Sequence, residues 1–362
     1  MNFRKLFLVL VIFTTGTSFA QEILSKGKFS GYMFGDYFYN AQRDERIDLM
    51  KNVANVGKKD FNGFQFRRIY FTYDYTISEK FSSRFRLEAD QAANTNNGKI
   101  GVAVKDAYLN WKNVLPGNDI IFGLQPTPAY EISERLWGNR FLEKTILDLR
   151  GIVSSRDLGI SAKGKLTGDG LLKYWIMIGN NSSNAPETDK YKRFYVHLQF
   201  SPTKNLSATI YADLKSRKEI VSSLDSKVKL SNNDLTYSLF VGYKEDNQFS
   251  AGFEIFQNKR LNDFVINNKY FNRDQLGFSV FGTYNFKTDL ALVFRYDYFN
   301  PNLHKDFKGD SRNYFVFGMN YKADEKVIIS PNLLIETYEK IPGQNDFITS
   351  VTPRITFYYY FL

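Results

Sequence analysis

The sequence predicts an all-β fold, a transmembrane antiparallel up-and-down β-barrel of about sixteen strands with an infolded third outer loop. Three observations carry that reading. Stretch after stretch alternates apolar and polar residues, and the connections between them alternate short and long. Beyond the first twenty residues, no run of eighteen apolar residues offers a membrane helix.

The chain begins with a segment that reads as a signal peptide over 1–20. Arg4 and Lys5 form a basic start, Leu6 to Phe13 an apolar centre, and Ser18-Phe19-Ala20 a small-x-small cleavage site, so the barrel is expected to span 21–362. There is no cysteine among the 362 residues, which excludes disulfides, thiolate metal sites and a cysteine-linked lipid anchor. The formal charge is +10, or +8 without Arg4 and Lys5. Asp and Glu nonetheless number 38 and no run of five basic residues occurs, so no nucleic-acid partner is expected.

The strands follow from period-2 alternation. In FSSRFRLEADQ, 81–91, Phe81, Ser83, Phe85, Leu87 and Ala89 share one face, and Arg84, Arg86, Glu88 and Asp90 share the other. The same period appears before it at 29–40 and 64–75, and after it at 102–112, 119–125, 156–166, 171–180 and 191–201. It continues at 206–215, 234–243, 248–257, 275–286, 290–299, 313–321, 327–338 and 349–362. Short links such as TISEK, TGDG, PTKN, KEDN, KTD and KADEK alternate with long ones such as 41–63, 259–274 and 301–312. An outer-membrane barrel needs that arrangement, with tight periplasmic turns, longer outer loops and an even strand count. Unpaired backbone is too costly in hydrocarbon for any other all-β solution.

The two faces then meet two solvents. In 290–299, Leu290, Leu292, Phe294, Tyr296 and Tyr298 face lipid, while Arg295 and Asp297 face a watery lumen. A barrel of this width is too wide for its own strand side chains to fill, so an aqueous channel is expected.

The least strand-like segment is PTPAYEISERLWGNRFLEKTILDLRGIVSS, 126–155. It interleaves Glu131, Glu134, Arg135, Arg140, Glu143, Lys144, Asp148 and Arg150 with Ile132, Leu136, Trp137, Phe141, Leu142, Ile146 and Leu149. Loops of this length are normally functional or packed on something. Following the fifth strand, it is expected to fold inward with a short helix and constrict the lumen; an outward cap over the mouth is the alternative.

GFQFRRIYFTYDYTISEKFSSRFRLEAD, VKDAYLNW, GLQPTP, FLEKTILDLRGIVSSRDLG and the terminal PRITFYYYFL resemble the phosphate-selective porin O/P family of Gram-negative outer membranes. The resemblance implies a homotrimer of sixteen-stranded barrels, embedded in outer-membrane lipid, that passes small anions such as phosphate or polyphosphate by diffusion. It also implies a lumen lined with arginine and lysine, carried here onto the Arg67-Arg68 pair, of which strand alternation turns only Arg68 inward. The other cations expected inward are Arg84, Arg86, Lys163, Lys165, Arg193, Lys215, Arg295 and Arg354. Guanidinium groups can return hydration energy that an oxyanion loses in a narrow pore. Asp74, Glu88, Asp90, Asp106, Asp157, Asp213, Glu254 and Asp297 are also expected inward, so the anion bias should be modest.

No enzymatic role is expected. The chain has no G-x-S-x-G, H-E-x-x-H, P-loop or EF-hand pattern, and its histidines are His197 and His304 alone. Neither a cofactor nor a resident metal is implied. The competing readings are a non-conducting outer-membrane barrel that acts as a structural partner of an envelope complex, and a soluble carbohydrate-binding β-protein.

Overall fold

The computed structural model describes residues 26–46, 58–94, 99–307, 311–341 and 343–362; the leader expected over 1–20 lies outside them. The first five strands are β1 (Gly27–Tyr39), β2 (Asn62–Thr76), β3 (Phe81–Asn94), β4 (Ile100–Leu115) and β5 (Asn118–Pro126). Two short helices follow, α1 (Glu131–Trp137) and α2 (Ile146–Leu149). Then come β6 (Arg156–Lys165), β7 (Leu172–Gly179), β8 (Arg193–Phe200) and β9 (Leu206–Lys215). A small hairpin, β10 (Ile220–Val221) with β11 (Lys229–Leu230), sits in the next loop. The wall resumes with β12 (Asp234–Glu245), β13 (Phe249–Ile266), β14 (Lys269–Asn285) and β15 (Leu290–Asn300), and ends with β16 (Arg312–Asp324), β17 (Val327–Tyr338) and β18 (Ser350–Tyr360).

Sixteen of these strands form one closed antiparallel barrel, each beside its sequence neighbours, with β18 returning to β1. Closure removes both sheet edges, which a hydrocarbon surround requires. No helix among the described residues is long and apolar enough to cross a membrane. The outer wall carries exposed apolar side chains, among them Phe122, Ile160, Val196, Ile210, Leu239 and Leu292. The residues that alternate with them, such as Ser161, His197 and Thr236, are buried inside.

Two details depart from the alternation. The expected loop over 259–274 is mostly strand, because β13 and β14 continue as a hairpin closed at Asn267 and Asn268. Those asparagines have φ of 48° and 58°, the left-handed pair that a two-residue hairpin turn needs. The second departure is a pair of bulges. Phe34 pairs with Arg68 but Gly35 pairs with Phe66, so Arg67 is an extra residue in β2. Likewise Arg86 pairs with Asp106 and Leu87 with Val104, leaving Lys105 extra in β4.

The first and last outer loops are clasped together. Arg46 bonds Asp44 and donates to the carbonyls of Asn345 and Asp346 at 2.9 and 2.7 Å, while Asp44 accepts from the Ile348 amide at 2.9 Å. The Arg46 hydrogen bond, with the Ile348 amide behind it, holds the Asp44 carboxyl below its ordinary value of 3.8. A depressed acid stabilises above its unfolded pKa and loses that contribution as pH falls through the folded value. Protection of the Ile348 amide, its exchange rate taken against the intrinsic rate at the same pH, is therefore expected to hold above pH 3.8 and to fall in stronger acid. An Asp44→Asn variant should lose that protection at every pH; if it matches the wild type, the clasp is not electrostatic.

Candidate functional site

The chain between β5 and β6 lies within the barrel, and its apolar residues explain why. Ile132, Leu136, Trp137, Phe141 and Leu142 are buried against Phe34, Tyr70, Phe240, Phe281 and Val293, which point inward from β1, β2, β12, β14 and β15. Further along, Ala129, Tyr130, Ile146, Leu147 and Val153 pack with Met177, Tyr195, Tyr211, Phe256 and Phe299. Gly242 and Gly277 permit the close approach: a Cβ there would stand 2.8 Å from Leu136 and 3.2 Å from Ile146. Helix α1 ends at Gly138 in a left-handed conformation, φ 65°, which turns the chain toward α2.

Polar anchors fix the segment. Arg67 donates to the carbonyls of Phe141 and Leu142, the latter at 2.9 Å, and pairs with the buried Asp36 at 2.8 Å. Arg354 reaches the Leu142 carbonyl at 2.8 Å and Asn332 at 2.9 Å. Arg295 holds Asp297 at 2.8 and 2.5 Å and donates to the Lys144 carbonyl. Arg193 is bidentate to Asp213 at 2.8 Å and touches the Ile152 carbonyl at 3.3 Å. From the loop itself, Arg150 pairs with Glu336 at 2.8 Å, and Glu143 accepts from Tyr314 at 2.9 Å. Burial alone would raise the Glu143 carboxyl, but the Arg354 and Arg67 guanidiniums outweigh it and hold it below the ordinary range.

These placements correct the sequence expectations in two ways. Arg193, Arg295 and Arg354 do point inward, yet they are 3%, 1% and 4% exposed, so they grip the loop and offer no surface to a passing solute. Arg67, which alternation turned outward, is inward because the bulge gives β2 two consecutive inward residues. Sequence periodicity missed it, and missed Lys105, for the same reason.

The opposite wall remains lined with charge. Arg84 is bidentate to Asp74 at 2.6 and 2.9 Å, and Arg68 pairs with Glu88 at 3.4 Å and with Asp90. Arg86 bonds Thr72 at 2.8 Å and shares Asp106 with Arg156. Lys105 reaches Glu88 at 3.2 Å. Lys215 is half-buried beside its register partners Arg193 and Asp234. Facing this wall, Arg140 lies between Glu134 and Asp148, each at 3.2 Å, and Lys144 is 3.9 Å from Asp148. Burial works against the Arg140 charge, but Asp148 and Glu134 outweigh it and raise its pKa further. Glu134 and Arg140 from the segment, and Arg86 and Arg156 from the wall, are each near enough to Tyr32 for their charges to act on it.

Glu131 and Arg135 project from α1 into a cavity of about 490 Å³ at the short-turn end, together with Lys163, Lys165, Trp175 and His197. No cluster of three or more metal-ligating side chains occurs among the described residues.

No protein-family model matches the chain, and no curated protein matches it in sequence. Solved structures do match its fold. The outer membrane channel DcaP of Acinetobacter baumannii superposes with a TM-score of 0.67 at 12% identity, over 92% of this chain and 97% of that one. The anion-selective porin from Comamonas acidovorans gives 0.63 at 9% identity, over 92% and 99%. The trimer form of OmpT from Vibrio cholerae gives 0.55 at 12% identity, over 92% and 99%. The chain thus has the sixteen-stranded barrel fold seen in these outer-membrane proteins.

Proposed function

We propose that this protein is an outer-membrane porin, a water-filled channel through which small hydrophilic solutes diffuse, with a modest preference for anions such as phosphate or polyphosphate. The observation that carries the reading is the division of the interior: the 126–155 segment is anchored by buried arginines on one side and faces a paired charge wall on the other. An apolar band outside and a charged wall inside suit lipid around an aqueous path. The cleaved leader and homotrimeric assembly belong to the same proposal, and the trimer form of a protein of similar fold supports the latter.

The anion preference is modest because Arg68, Arg84 and Arg86 each face a carboxylate. Purified protein in a planar bilayer should conduct, with a reversal potential on the anion side in a salt gradient. Arg68→Ala leaves Glu88 and Asp90 less compensated, and should shift the permeability ratio toward cations by roughly fivefold, about 1 kcal/mol for one charge near the path. An unmoved reversal potential removes Arg68 from the selectivity mechanism. Absence of any current would instead favour the structural-partner reading.

A further inference from the structure

Inward aromatic side chains such as Phe240, Phe256 and Phe281 are buried beneath the 126–155 segment. The short-turn end of the β18–β1 seam differs. Tyr32, Tyr358 and Tyr360 share the inward parity of Phe34 and Arg354, yet Tyr32 and Tyr358 are half-buried and Tyr360 is 44% exposed. The side chains that alternate with them lie on the lipid face: the Tyr359 hydroxyl donates to Met33 Sδ at 3.2 Å, and the Phe361 ring covers Gly31. These inward tyrosines are therefore no part of the outer aromatic girdle, where rings meet lipid headgroups, and core burial does not account for them.

The rings form one continuous surface. Tyr32 is the register partner of Tyr360 on one side and of Tyr70 on the other, with ring centroids 5.7 and 4.9 Å apart. Tyr358 stands 5.2 Å from Tyr360 and 5.8 Å from Tyr32, and Phe141 of the inner segment stacks on Tyr358 at 5.0 Å. The surface thus runs from the end of the last strand to the segment that narrows the lumen. Charge of both signs borders it. Arg86 lies over the Tyr70 ring at 5.6 Å, and Glu134, Arg140 and Arg156 are near enough to Tyr32 to act on it.

That combination has a chemical preference. The face of an aromatic ring carries negative charge density, which favours the weakly positive C–H groups on the flat side of a sugar ring. Hydroxyl groups both donate and accept, so guanidiniums and carboxylates side by side serve them together, whereas a fixed charge of either sign meets one of the two as a repulsion. Many weak contacts along a surface also let a solute move on, as conduction requires. We propose that the tyrosine surface is a track for neutral sugars in ring form, on which a monosaccharide or short oligosaccharide lies with one face on the rings and its hydroxyls toward Arg140 and Glu134. The inference rests on the channel reading and deepens it, by naming an uncharged solute class for the same path.

The test reads maltotriose binding by saturation-transfer difference NMR, on protein in a detergent without a sugar headgroup, beside maltotriose block of salt current in planar bilayers. Sorbitol, an open-chain polyol with no ring face, is the control. The wild type should pass saturation to the ring C–H protons of maltotriose and show saturable block, and sorbitol should do neither. Tyr360→Leu keeps bulk and loses the ring, and should weaken binding by roughly fivefold, the loss of one ring contact, while Tyr360→Phe should stay within about twofold of the wild type. Tyr32→Leu repeats the comparison away from the terminal strand. Undetectable maltotriose binding, equal binding of sorbitol, or wild-type binding by both leucine variants overturns the track even if the channel conducts. Ring-dependent binding by a protein that passes no current leaves the track standing and overturns the channel reading.

Discussion

Replacing Arg354 with alanine is expected to enlarge single-channel conductance and to expose the 126–155 segment to protease. Arg354 is 4% exposed, bonds the Leu142 carbonyl and Asn332, and lies 3.7 Å from Asp36. Its loss leaves a buried carboxylate less compensated and the Leu142 carbonyl with Arg67 as its remaining donor. Removing one partner of a buried pair costs about 3–5 kcal/mol, much of which falls here on the docked state of the loop. The sixteen-stranded wall keeps its backbone ladder, so the barrel should persist while the segment loosens. Wild-type conductance together with wild-type protease resistance would mean that Arg67 and Arg295 hold the loop without help.

The second large effect concerns charge. Asp106 is fully buried between Arg86 and Arg156 and is the carboxylate that both share. Asp106→Asn keeps the shape and removes the compensation, leaving two guanidiniums with positive charge turned toward the lumen. The anion-to-cation permeability ratio should rise by roughly fivefold, since one charge a few ångströms from a watery path is worth about 1 kcal/mol. This is the opposite direction from Arg68→Ala. If both variants moved the ratio the same way, the lumen charges would be acting through loop position and not through the field. Protease cleavage within 126–155 separates the two cases, because a displaced loop is cut and a changed field leaves it protected.

Much of the wall was legible because its two faces meet different solvents. Strands such as 206–215 and 327–338 coincide with β9 and β17, where every outward residue is selected for lipid and every inward one for water or the loop. Legibility fails where that contrast vanishes. Beyond Gln257 the β13–β14 hairpin carries polar and apolar residues on both faces, so NKRLND does not alternate although the backbone ladder continues. It fails again at Arg67 and Lys105, since a period-2 argument has no means of counting an extra residue.

The site was legible in kind more than in role. Arg193, Arg295 and Arg354 were placed on the right face by parity, but parity cannot tell a cation that meets solute from one that meets a carbonyl. That distinction comes from contacts some 41, 151 and 212 residues apart in sequence. Gly242 and Gly277 were the available hint, since inward glycines in a wide barrel mark where something comes close to the wall.

Those sequence separations also impose an order of assembly. The segment after β5 emerges early, but two of the side chains that hold its carbonyls, Arg295 and Arg354, arrive only with β15 and β18, and β18 is the strand that meets β1. Contacts so distant along the chain form late, because their loop-closure entropy must be met before they return anything. The narrowing of the lumen is therefore a final event, coupled to sealing of the seam, and a chain stalled before its last strand has neither a closed wall nor a seated loop.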